Sequence, residues 1–271
     1  MKCLHASLWM ALTISAAALP SEVNAQDEDG WEFAASINGW FPDISGETAF
    51  PTGPGGGDFT IDVGTILDNL KMTFQGSFSA RKGRWGLFSD VVYMDLGSSE
   101  SAFREGTVGG IEIPVDVSAS ARLGMESLIW TAAATYRLLD TEDAHVEVLA
   151  GFRYFDLKQT FKWDFGGNIG QLPLPGNNGA STSTVTNWDA IAGIRGRSMF
   201  GQGKRWFIPY HLDVGAGDSD LTWHAYAGIG HVFSWGEIAA GWRYMEYRPE
   251  SGSLTDSVDF NGPLIGAGFR W

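Results

Sequence analysis

Between residues 71 and 81 every second side chain is apolar or small: Met72, Phe74, Gly76, Phe78 and Ala80 alternate with Lys71, Thr73, Gln75, Ser77, Ser79 and Arg81. A period of two is that of a β-strand, whose successive side chains leave on opposite faces. One face of this segment suits hydrocarbon and the other suits water. The pattern recurs along the chain. Val146, Val148, Ala150, Phe152 and Tyr154 oppose Glu147, Gly151 and Arg153; Trp206, Ile208, Tyr210, Leu212 and Val214 oppose Arg205, Phe207, Pro209, His211 and Asp213. Ile238, Ala240, Trp242 and Tyr244 oppose Glu237, Gly241 and Arg243. Less regular segments of similar length lie at 31–41, 85–96, 126–139, 187–199, 221–233 and 259–271.

The connections alternate as well. Short ones fall at 82–84, 140–144, 201–204 and 234–236, and the other set at 42–70, 97–125, 156–186, 215–220 and 249–258, three of which are long. Short turns alternating with longer loops describe a transmembrane antiparallel up-and-down β-barrel of the bacterial outer membrane, with both termini in the periplasm and about ten strands. Eight or twelve strands stay open, because residues 114–123 also alternate and could extend a strand above the membrane. Closure is required, since each unpaired backbone group in hydrocarbon costs several kcal/mol.

Composition agrees with this reading. Twelve Trp, 17 Phe, 7 Tyr and 36 Gly, with only 18% charged residues, suit aromatic girdles and close-packed strands. A net charge of −14 without a basic cluster opposes nucleic-acid binding. The chain opens with Lys2, an apolar run at 6–19 and the small-residue pattern Val23-Asn24-Ala25. That is the pattern of a signal peptide spanning 1–25, leaving 26–271 as the barrel domain. The run is shorter than the roughly 20 residues of a helical span, and Pro20 ends it. Cys3 is the one cysteine, so a chain cut after Ala25 has no thiol for disulfides, metal or catalysis. The expected partners are outer-membrane lipid and lipopolysaccharide, met by a monomer that uses neither cofactor nor metal.

Residues 74–97, Phe-Gln-Gly-Ser-Phe-Ser-Ala-Arg-Lys-Gly-Arg-Trp-Gly-Leu-Phe-Ser-Asp-Val-Val-Tyr-Met-Asp-Leu-Gly, together with Trp40-Phe41-Pro42, Gly46 and Leu67-Asp68-Asn69-Leu70, carry a resemblance. The chain resembles a group of poorly characterised proteobacterial outer-membrane proteins. The resemblance implies location and fold, and it brings no catalytic residue. At the C-terminus Pro263, Ile265, Ala267, Phe269 and Trp271 occupy alternate positions. A last strand closing on aromatic residues, here Phe269 and Trp271, resembles the signal that the barrel assembly machinery reads.

On this alternation Glu147, Arg153, Asp189, Arg195, Arg197, His211, Asp213, Glu237 and Arg243 point into the lumen. A small barrel has little free interior and buried charges must be paired, so these residues are expected to form a salt-bridged plug. A narrow polar channel for small solutes is the alternative. His211 and Asp213 share a face, a spacing similar to the acid and histidine pair of the omptin proteases. That family also needs paired aspartates across the mouth; Asp90 and Asp95 are present, but the characteristic pair is not. The expectation is therefore a structural or surface-interaction barrel without enzymatic activity, with the pore and the omptin-like protease as alternatives.

Three loop features complete the reading. Val63, Ile66, Leu67 and Leu70 follow helical spacing behind Asp62, which suits an N-cap, so a short amphipathic helix is expected to pack down the first loop. The run Gly53-Pro54-Gly55-Gly56-Gly57 lacks the Lys-Ser/Thr of a phosphate-binding loop and reads as flexible connection. Residues 166–184, rich in Gly, Asn, Pro, Ser and Thr, read as a mobile surface loop.

Overall fold

In the computed structural model the described residues are 30–48, 57–61, 64, 70–99, 117–169, 172–173, 177–249 and 255–271. Their strands are β1 (Trp31–Trp40), β2 (Asp43–Thr48), β3 (Gly57–Ile61), β4 (Leu70–Lys82), β5 (Trp85–Ser99), β6 (Val117–Asp140) and β7 (Ala144–Ile169). There follow β8 (Leu172–Pro173), β9 (Asn177–Phe200), β10 (Trp206–Gly217), β11 (Ser219–Val232), β12 (Glu237–Pro249) and β13 (Thr255–Arg270). Neighbours in the wall pair antiparallel in chain order, and β1 closes the ring by pairing β4 on one side and β13 on the other. Past Phe41 and Pro42, β2 continues the course of β1 along β13, with Ile44 opposite Phe260. Pro42 has no N–H to donate to a ladder, which accounts for the break there. Counting β1 and β2 as one wall strand, and leaving out the short β3 and β8, the barrel has ten strands. All ten segments of alternating sequence form wall strands.

Two of the expected loops contain long stretches of strand. The β6, β7 and β9 strands run for 24, 26 and 24 residues, so that 117–125, 156–169 and 177–186 continue the sheet beyond the membrane. The expectation of a mobile segment at 166–184 is corrected for 166–169 and 177–184, which belong to β7 and β9. The Thr and Val at 182–186 favour a pleated backbone, and in-register pairing with β7 gives that backbone its hydrogen bonds. The alternation noted at 114–123 becomes an extension of β6 from Val117 and adds no strand. The expected helix at 62–70 lies outside the described residues except for 64 and Leu70, which opens β4; of the glycine run only Gly57, which opens β3, is described. The leader segment also lies outside them.

The outer wall is apolar. Ile37, Phe78, Leu87, Ile194, Leu212, Val214, Ile229 and Ile265 are exposed on it. At the periplasmic end Phe33 stacks between Trp31 and Trp271, Trp85 meets Tyr136 edge-on, and Trp235 packs with Phe233 and Phe269. At the other end a second group joins Trp130, Phe152, Trp188 and Tyr154, and another pairs Trp223 with Tyr244. From Trp235 to Tyr244, at about 3.3 Å per residue and a tilt of about 40°, the wall rises roughly 23 Å, close to the height of an outer-membrane apolar band. No helix of the described residues is long and apolar enough to cross a membrane.

Candidate functional site

Because the side chains of each strand alternate, the inward set is fixed by register; what it contains depends on height. In the extracellular half the inward residues are largely apolar. Trp40, Ile44, Val92, Met94, Leu96, Met125, Ile129, Phe155, Leu157, Met245, Tyr247, Val258, Phe260 and Leu264 form one buried cluster across the lumen. Phe155 and Tyr247 stack with ring centroids 4.0 Å apart, and Phe260 meets both rings at larger angles. Gln75, also buried, donates Nε2 to the Trp40 carbonyl at 3.2 Å and so ties β4 to the cluster. The inward face, read from the sequence as the one suited to water, is thus largely apolar at this height. A small barrel has to fill its interior with side chains, and close-packed apolar ones need no hydrogen-bond partners.

Directly below this seal lies a layer of paired charges. Arg153 is fully buried; its Nη2 donates to both oxygens of Asp213 at 2.8 Å, its Nε to Thr131 and its Nη1 to Thr222. Asp213 also receives Nε2 of His211 at 2.6 Å and Nδ1 of His224 at 3.3 Å. A carboxylate accepts only, so both ring nitrogens donate. Arg243 donates to Asp90 at 2.6 Å and lies 4.8 Å over the Trp40 ring. Nearer the periplasm Arg137 donates twice to Glu147, and Arg197 holds Glu237 with bonds of 2.9 and 2.7 Å. Arg195 stands 3.6 Å from Glu147 with its guanidinium 4.1 Å over the Phe88 ring.

All nine charged residues read from the sequence as lumen-facing lie on the inner wall. Arg153, Asp213, His211 and Arg243 meet in the layer under the seal, while Glu147, Arg195, Arg197 and Glu237 gather at the periplasmic end. Asp189 sits apart: it faces Arg153 across the β7/β9 ladder, and its Oδ1 accepts the Ser219 N–H at 2.8 Å, bracing the β10/β11 turn. The sequence reading missed His224, whose strand carries a register irregularity between Ser219 and Leu221. Counting alternate positions back from outward Ala225, Ala227 and Ile229 would have found it. Asp90 was noted as a carboxylate but not as the partner of Arg243.

His211, Asp213 and His224 are close enough to share a metal ion, with one ligand atom each within 4.8 Å of the others. The surroundings disfavour one. Arg153 already covers both Asp213 oxygens, and Arg195 and Arg243 add positive charge beside the two histidines. A divalent cation there would face three guanidinium groups against one free-standing set of donors, so the cluster works as a hydrogen-bonded layer.

The closed antiparallel ladder, the apolar band and the two aromatic girdles define an outer-membrane β-barrel protein. The outer membrane protease OmpT from Escherichia coli has a similar structure, with a TM-score of 0.51 at 8% identity over 92% of this chain and 99% of that one. At such identity the likeness concerns the fold alone. Ail, the attachment invasion locus protein of Yersinia pestis, is 13% identical with a TM-score of 0.33, covering 90% of this chain and 99% of its own. The translocator domain of the autotransporter NalP from Neisseria meningitidis is 13% identical with a TM-score of 0.38, covering 89% and 88%. No protein-family model matches the sequence, and no curated protein aligns with it.

Proposed function

We propose that this chain is a non-conducting, non-enzymatic outer-membrane barrel that acts at the cell surface, of a kind with the poorly characterised proteobacterial proteins it resembles. The observation that carries the reading is the seal: among the described residues a buried aromatic and aliphatic cluster occupies much of the extracellular half of the lumen. Above the apolar band β6, β7 and β9 stay paired, and 156–169 alone supplies roughly 45 Å of strand length at about 3.3 Å per residue. Pairing of β5 with β6 ends at Leu123, and that of β9 with β10 ends at Asp189. Such a raised sheet is suited to contact with a partner outside the cell.

The test is conductance in planar bilayers. The purified barrel is expected to give no current steps at any salt concentration; discrete, salt-dependent steps from the unaltered protein overturn the reading. The protease alternative has the His211–Asp213 hydrogen bond in its favour, yet Asp213 is held by Arg153 and both lie under the seal, away from an external peptide. Peptide cleavage abolished by His211→Ala would overturn the non-enzymatic part of the reading.

A further inference from the structure

Below the charged layer the periplasmic half of the lumen holds a cavity of about 200 Å³. Its wall carries more positive charge than negative: Arg195, Arg197, Arg243 and Arg270 line it against the carboxylates of Asp90 and Glu237. Both carboxylates are engaged, Asp90 by Arg243 at 2.6 Å and Glu237 by Arg197 and, at 3.4 Å, by Arg270. Arg195 is the under-neutralised cation. Its nearest carboxylate, Glu147, is 3.6 Å away and already held by Arg137 at 2.8 Å; Asp90, also nearby, is taken by Arg243; and 25% of the Arg195 side chain is open.

The planar fork of arginine fits the oxygens of a carboxylate or a phosphate. We infer that the cavity is a binding site for a small oxyanion entering from the periplasm, held by Arg195, with Arg197 and Arg270 adding positive charge to the wall. Ser36, Asn38 and Ser77 supply neutral hydrogen-bonding groups on the wall made by β1 and β4. Phe88, Phe207 and Leu264 keep part of the lining apolar, which strengthens the polar contacts that remain. Pockets for drug-sized ligands measure roughly 300–1,000 Å³. This smaller space fits inorganic phosphate or a short dicarboxylate. The inference is independent of whether the barrel conducts.

The experiment is calorimetric titration of the folded full-length barrel, in detergent at low salt, with inorganic phosphate and with succinate in separate runs. Saturable binding of at least one probe is expected, weakened tenfold or more by Arg195→Gln and unchanged by Lys158→Gln, which lies on the extracellular extension. Ala239→Phe fills the cavity without changing its charge and is expected to abolish binding while heat-modifiable gel mobility persists. Absence of saturable binding for both probes, or binding unaltered in the folded Arg195→Gln and Ala239→Phe proteins, overturns the inference.

Discussion

Arg153 on β7 and Asp213 on β10, 60 residues apart in sequence, meet inside the barrel with Nη2 of the arginine 2.8 Å from each carboxylate oxygen. Neither side chain has any exposed surface. Two strands that are not neighbours in the wall are thereby linked through the lumen, and the layer they anchor carries the apolar seal above it.

Removing one partner leaves the other charged and dry. Arg153→Met is expected to destabilise the barrel by roughly 3–5 kcal/mol, read from urea unfolding in lipid vesicles. Arg153→Met combined with Asp213→Leu is expected to recover part of that loss, because the apolar pair removes the unpaired charge while His211 and His224 lose their shared acceptor. A double variant as unstable as the single one would show that the pair contributes more than mutual neutralisation.

Adjacent residues of one strand should respond oppositely to the same change. Leu212 faces lipid between inward His211 and Asp213. Leu212→Arg is expected to cost about 2–4 kcal/mol in the same unfolding assay, the range for arginine at the membrane midplane. A Leu212→Arg protein with unaltered stability would contradict the assignment of faces.

Gly151 is inward, and a Cβ there would lie 2.0 Å from the Ala132 carbonyl oxygen and 2.5 Å from Cα of Ala133. Backbone cannot yield as a flexible side chain does. Gly151→Ala is therefore expected to reduce the yield of heat-modifiable barrel sharply, although the added group is one methyl and apolar.

The seal can be opened by design. Phe155→Ala with Tyr247→Ala removes the stacked pair at its centre. If the doubly substituted protein keeps its heat-modifiable mobility, current steps are expected in bilayers where the unaltered protein gives none. Continued silence from a folded double variant would mean that the surrounding aliphatic and aromatic side chains close the gap.

Phe33 and Trp271 form the seam at the periplasmic end: Phe33 N–H donates to the Trp271 carbonyl at 2.8 Å and Trp271 N–H donates back at 3.1 Å. Their rings lie 5.9 Å apart. Deleting Trp271 removes both bonds and the ring contact, whereas Trp271→Ala removes the ring alone. Assembly into vesicles containing purified barrel assembly machinery is expected to slow in the order unaltered, Trp271→Ala, deletion.

The wall was legible because its signal is local. Met72 to Ala80 and Val146 to Tyr154 each declare a lipid face within a few residues, since hydrocarbon on one side imposes a strict period of two. The interior imposes no such rule. Leu149, Phe155 and Met245 point inward beside Glu147, Arg153 and Arg243, and nothing in the spacing separates the apolar storey from the charged one. The extension of β6 was foreshadowed by the alternation at 114–123, whereas that at 177–186 was hidden, because above the membrane no lipid enforces alternation and a Ser/Thr-rich strand reads as a loop.

Sequence alone thus determined that the chain forms antiparallel strands, which side of each strand meets lipid, and the order in which turns and loops alternate, because each of those depends on neighbours a few residues away. Tertiary structure decided which inward side chains share a height. Stagger between strands set that height, bringing Asp213 to Arg153, His211 and His224, Asp90 to Arg243, and Phe155 to Tyr247. Partners drawn from strands far apart in the chain leave no trace in local periodicity, since contact across a lumen is a property of the closed ring.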